Sequence, residues 1–206
     1  KATEYVGLHF KQYDDFIYSP VIKQEVMQVI PTDKGHVTVY LSHYSDEVVL
    51  KALHNVRDIR FEVFSKKVKQ PVVSANVTLL PISNEGFTQS LIHSHGVITG
   101  AGFETPAEAL YLGKKLLVLP IKGQYEQLCN AAALKDFNVV VVDQLSADFH
   151  TKVINWLATA NTQKLSLSQD TFQIVQIAIE KGRALQDSNS SYNLHPLTEE
   201  DLPAMY

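Results

Sequence analysis

From Gly35 onward, β-rich runs and helix-forming runs take turns along the chain, and this alternation restricts the fold more than any other feature. Residues 36–41 are mostly β-branched or aromatic, which predicts a strand. Ser45 then stands where a helix N-cap belongs, with Asp46 and Glu47 in the first turn and apolar residues at helical spacing through Leu53. Further strands are expected at 59–64, 77–80, 96–99, 116–119 and 139–142. Further helices are expected at 87–92, 104–112, 125–134, 147–157 and 168–185. Gly113 takes the place of a helix-ending glycine, while Pro81 and Pro120 close their strands.

Strands separated by helices build βαβ units, which demand a parallel sheet with helices on both faces. The expected class is therefore α/β, a Rossmann-like doubly wound parallel sheet spanning 34–186. In such sheets ligands bind beyond the carboxyl ends of the strands, so loops 42–44, 81–86, 100–105 and 120–124 should share the functional edge. Residues 1–33 do not continue the pattern, although extended pieces show near 5–10 and 16–20. They read as a linker and the remnant of a preceding domain, as in a piece cut from a longer protein. The polar stretch 187–206 reads as a tail that packs on that missing domain.

Composition removes several function classes. Hydrophobic residues make up 45% and charged residues 19%, too apolar for a disordered chain. A net charge of −4 lacks the basic footprint that nucleic acid requires, and Lys66, Lys67 and Lys69 read as a solvated loop face. The single cysteine, Cys129, excludes an intrachain disulfide and is expected to be a buried thiol on its helix. There is no apolar run of ~18 residues. A cytoplasmic setting is expected, with peripheral contact at the inner membrane face left open.

The stretch Thr99-Gly100-Ala101-Gly102-Phe103-Glu104-Thr105-Pro106-Ala107-Glu108 falls where a buried strand turns into a helix. Glycine lets a ligand approach the backbone, and a helix start offers unpaired N–H groups to phosphate. Thr105 adds a hydroxyl donor. Glu108, one turn on, is suited to accept hydrogen bonds from a ribose diol. The same residues equally fit a plain tight turn leading into a helix with a surface glutamate. A dinucleotide fingerprint is set aside, because it needs a third glycine where Thr105 stands and an acid where Leu119 and Pro120 end the next strand. His93 and His95 read as helix-end residues rather than metal ligands.

The following strand–loop–helix carries Glu126 and Gln127, adjacent groups able to pair with sugar hydroxyls, and Asn130 one turn later. Three spaced patterns then coincide: Thr-x-x-Gly-x-x-Thr-x-x-Glu from Thr99, Gly-x-x-x-x-x-x-Pro from Gly113, and Glu-Gln-x-x-Asn-Ala from Glu126. Together they resemble the donor-binding signature of GT-B glycosyltransferases, in its C-terminal half. The likeness extends both to the peptidoglycan lipid-intermediate N-acetylglucosaminyltransferase and to the UDP-glucosyltransferases of secondary metabolism.

That resemblance implies a set of roles. Gly102, Phe103, Glu104 and Thr105 would bind the donor diphosphate, with Ser42, His43 and Tyr44 on a neighbouring loop. Glu108 would bind the ribose, Ile82 and Phe87 the base, and Glu126, Gln127 and Asn130 the sugar. Transfer would invert the anomeric centre without a metal or other cofactor. The partners would be a nucleotide-sugar donor carrying UDP, an acceptor, and the N-terminal GT-B domain that supplies the general base. The isolated chain would bind donor but not turn over. Two alternatives share the fold: a sugar-nucleotide epimerase, and a non-catalytic nucleotide-sugar-binding subunit. Two departures are visible. Gly100 stands where plant-type relatives carry a histidine, and the carboxylate of Glu104 repels a diphosphate unless it points to solvent.

Overall fold

The computed structural model describes residues 5–168 and 170–192. Two short strands open the chain, β1 (Gly7–Leu8) and β2 (Ile17–Tyr18), paired in parallel, followed by the single turn α1 (Gln24–Met27). The alternating part then runs β3 (His36–Tyr40), α2 (Asp46–Leu53), β4 (Arg60–Ser65), β5 (Val72–Ser74), β6 (Val77–Pro81) and α3 (Asn84–His93). It continues through β7 (Gly96–Gly100), α4 (Glu104–Tyr111), β8 (Lys115–Leu119) and α5 (Tyr125–Leu134). A 3₁₀ turn (Lys135–Phe137), β9 (Val140–Val141), α6 (Phe149–Ala158) and α7 (Thr171–Tyr192) complete it.

Strands β3 to β9 form one sheet in the order β5-β6-β4-β3-β7-β8-β9, parallel throughout except for the β5–β6 hairpin. Without β5, the parallel strands have the doubly wound order 3-2-1-4-5-6. From β3 the chain first builds outward to β4 and β6, then crosses back to place β7 on the other side of β3. The order reverses between β3 and β7, so a crevice opens past Tyr40 and Gly100. That position is where this fold binds ligands.

Alternate residues of the central strands feed two cores. Val97, Leu116 and Val118 join Leu91, Leu110 and Leu134 on one face, while Val37, Val39, Ile98, Leu117 and Leu119 join Leu53, Phe149 and Trp156 on the other. All of β8 is buried, as befits a parallel strand covered on both sides. Each fully buried leucine contributes roughly 1.5–3 kcal/mol, which makes this central pair a rigid base for the loops above it. Gly96 is required here: a Cβ on it would lie 2.9 Å from the Trp156 ring.

Local signals work as anticipated at most ends. Ser83 caps α3 by accepting from Gly86 N–H at 3.0 Å, and Gly113 ends α4 with φ +70°. Ser45 occupies its N-cap position in extended conformation, yet its side chain makes no capping hydrogen bond. Strand β5 was not foreseen; its residues are mostly exposed, so burial left no pattern in them. The N-terminal segment lies against the first core through buried Phe10, Ile22 and Val26. The 187–206 tail falls largely outside the described residues. No helix among the described residues is long and apolar enough to cross a membrane.

Candidate functional site

The turn between β7 and α4 forms one wall of the crevice. Tyr40, Ser42, Thr99, Gly102, Phe103 and Thr105 line it, together with Ile121 and Gln127 from the β8–α5 loop and helix start. No atom lies within 4 Å of where a Cβ on Gly102 would sit, so its backbone faces open space that a ligand can approach. Phe103 is the N-cap of α4 and offers no side-chain cap. The first-turn N–H groups therefore have no partner within the helix and stand at its positive end.

A second hollow adjoins the first. It is lined by Phe64, Ile82, Ser83, Asn84 and Phe87, and it shares Tyr40 and Thr105 with the crevice. Phe87 meets Phe64 edge-on at 5.1 Å and Tyr40 at 6.0 Å, giving a firm aromatic floor. Ile82, 44% exposed, stands at its mouth. The fold thus brings the expected base residues and the expected phosphate residues side by side, although more than a dozen positions separate them in sequence.

The remaining expected residues divide. Of the 42–44 loop, only Ser42 lines the crevice. His43 stacks on Tyr44 at 4.2 Å, its pKa lowered by burial, and the Tyr44 hydroxyl accepts from Leu145 N–H at 3.3 Å. Beside that turn, Gln127 Oε1 accepts from Ile121 N–H at 2.9 Å while Nε2 donates to Gln124 at 2.7 Å. Glu126 is exposed and outside the crevice lining. Asn130 is buried, and its Nδ2 donates to the Ala101 carbonyl at 3.1 Å. It positions the turn rather than facing the crevice.

Glu108 is also placed differently from the open, ligand-edge carboxylate that its spacing suggests. It is 1% exposed, and neither carboxylate oxygen has a hydrogen-bond partner. Lys23 Nζ stands 3.4 Å from Oε1 and 3.0 Å from a carboxylate oxygen of Glu104. Burial pushes the Glu108 pKa up, and Lys23 pulls it back. The Glu104 side chain is solvent-exposed as expected, and this lysine offsets its charge.

Residues 2–158 match the model of glycosyl transferase family 1. The chain belongs to this family. Among solved structures it is similar to the glycotransferase of kitacinnamycin, with a TM-score of 0.53, 15% identity and coverage of 73% of this chain and 45% of that one. It is likewise similar to CalG4, the calicheamicin glycosyltransferase, with a TM-score of 0.51, 16% identity and coverage of 77% and 45%. At these identities the likeness is one of fold, the Rossmann-like half of a GT-B architecture. The family 1 chain spans under half the length of either structure. No curated protein matches it in sequence.

Three residues of this family 1 chain escaped sequence reasoning. Tyr40 joins the two hollows, and its position at the carboxyl end of the strand flanking the reversal was a usable signal. Ile121 lines the crevice, and Lys23 reaches α4 from the N-terminal segment; neither has a local signature. Cys129 corrects the reading of a buried thiol: it is exposed, because α5 turns Asn130, Ala131, Ala133 and Leu134 inward. His93 pairs with the Thr32 hydroxyl at 2.7 Å and His95 with Asp33 at 2.7 Å, so both fasten the segment before β3. Among the described residues, no group of three or more His, Cys, Asp or Glu is arranged to hold a metal ion.

Proposed function

We propose that this chain is the nucleotide-sugar-binding half of a glycosyltransferase, holding a nucleoside-diphosphate sugar, UDP-linked, for inverting transfer without a metal. The observation that carries the reading is the junction at Tyr40 and Thr105. An aromatic-floored hollow there adjoins a glycine turn at a helix start. A base and a diphosphate need those two surfaces in that adjacency.

In this reading the base rests by Ile82 and Phe87, and the diphosphate meets Gly102, Phe103, Glu104 N–H and Thr105. The sugar extends past Ser42 toward Gln127 and Glu126. As the anomeric bond breaks, charge builds on the leaving diphosphate, and the N–H groups of the α4 start stabilise it in place of a cation. One such donor contributes about 2.7–4 kcal/mol to lowering a barrier of this kind. The acceptor and the general base come from a preceding domain of the same protein, on the cytoplasmic side.

The Gln127 amide tests the sugar assignment. Gln127→Ala is expected to weaken UDP-sugar binding while UDP itself binds as before; an equal loss for both ligands would place Gln127 outside the sugar site.

A further inference from the structure

A nucleotide has a fixed order of parts, with the ribose between the base and the diphosphate. The aromatic hollow and the glycine-turn crevice adjoin, and two residues line both of them, Tyr40 and Thr105. A ribose that joins a base in one to a diphosphate in the other lies against that shared wall. It does not lie against Glu108, which lines neither hollow and whose two oxygens are both sealed from solvent. The ribose hydroxyls therefore need a different partner.

Tyr40 has the group for it. Among the described residues nothing pairs with its hydroxyl, and that hydroxyl, unlike the Glu108 oxygens, is open to solvent. Tyr44 nearby is no substitute, because its hydroxyl is taken by Leu145 N–H at 3.3 Å. The Tyr40 side chain is also firmly placed. It ends the central strand β3, with Val39 and Leu41 buried on either side and Thr99 of β7 beside it in register. Phe87 meets its ring edge-on at 6.0 Å, and Phe64 backs Phe87 at 5.1 Å. A phenol anchored in this way presents one donor and one acceptor at a fixed point, with little side-chain freedom to lose.

We propose that Tyr40 recognises the ribose, its hydroxyl bonding the diol, so that the site takes ribonucleotides in preference to analogues lacking a ribose hydroxyl. This rests on the donor-binding reading above. The role that spacing alone suggests for Glu108 passes to Tyr40, and Thr105 on the same wall stays with the diphosphate. A site built to bond a hydroxyl discriminates against a ligand without it, because the bond is then left unmade.

The test is calorimetric titration of the whole chain with UDP, 2′-deoxy-UDP and 3′-deoxy-UDP, using wild type, Tyr40→Phe and Glu108→Gln. Wild type is expected to bind at least one deoxy analogue about three- to tenfold more weakly than UDP, the range of one net hydrogen bond. Tyr40→Phe keeps the ring against Phe87 and should bind all three nucleotides alike, near the wild-type affinity for the weaker analogue. Glu108→Gln should keep the wild-type ratio between UDP and its analogues. Both variants preserve the shape of the native side chain, so the comparison reads binding and not folding. A ratio retained by Tyr40→Phe, lost in Glu108→Gln, or absent from wild type would overturn the assignment of Tyr40 while UDP binding, and the donor site, stand. Failure of wild type to bind UDP would instead overturn the donor reading, and this proposal with it.

Discussion

The side-chain amide of Asn130 donates to the main-chain carbonyl of Ala101 at 3.1 Å, tying helix α5 to the glycine turn that begins α4. Both residues are buried, so no water can replace the bond. The contact links the two halves of the crevice. It shapes the turn from behind, leaving the front of Gly102 free.

Removing that amide leaves a buried carbonyl unpaired, at a cost of about 1–3 kcal/mol. Asn130→Ala should show this loss in urea unfolding, together with weaker nucleotide binding from a loosened turn. Asn130→Asp, which has no donor when ionised, should fare no better. Unchanged stability would mean that the turn is held by its own geometry.

Phe87 supports the aromatic hollow by edge contacts to Phe64 and Tyr40. Phe87→Ala should weaken UDP binding while leaving inorganic pyrophosphate binding intact, since pyrophosphate has no base. Competition titrations with the two ligands check this. A parallel loss for both would make Phe87 a general support of the site instead.

A different group governs alkaline behaviour. Lys114 is 6% exposed, and its ammonium donates to the Thr32 and Ser94 carbonyls at 2.6 and 2.8 Å. Burial lowers its pKa to about 8, against a smaller opposing pull from Asp33. The folded value lies below the ordinary lysine value near 10.4, so between these two pH values the unfolded chain binds the extra proton. Stability from this group therefore rises as the pH climbs from about 8 toward 10, by on the order of 3 kcal/mol at most. Lys114→Met should lack the rise. Urea unfolding at pH 7.5, 8.5 and 9.5 in both proteins checks it, and parallel curves would contradict it.

The sheet was legible because its signals are local and mutually consistent. Tyr125–Leu134 begins and ends where its pattern does, and Gly113 adopts the left-handed φ that its place after α4 requires. Strand β5 was not legible, since a three-residue exposed edge carries no hydrophobic period. Much of the lining of the two hollows was readable too: Gly102, Thr105, Ile82 and Phe87 are loop or helix-start residues beside carboxyl ends of strands. Where reading fell short, tertiary contacts had claimed the side chain. Asn130 and Tyr44 look like ligand groups by type, but each has a partner distant in sequence, Ala101 and Leu145. Lys23 could not be found, because nothing around it in sequence points to Glu108.

The central claim is that the Gly102 turn holds a diphosphate, and Gly102→Val tests it most directly. The position has open space at Cβ, so a side chain there fills the crevice without disturbing the fold. Titration with UDP, TDP and GDP in EDTA should show wild type binding one of them with a Kd in the micromolar range, and Gly102→Val binding it at least about tenfold more weakly at unchanged melting temperature. Equal affinity in the two proteins, or no binding of any nucleotide by wild type, would contradict the account.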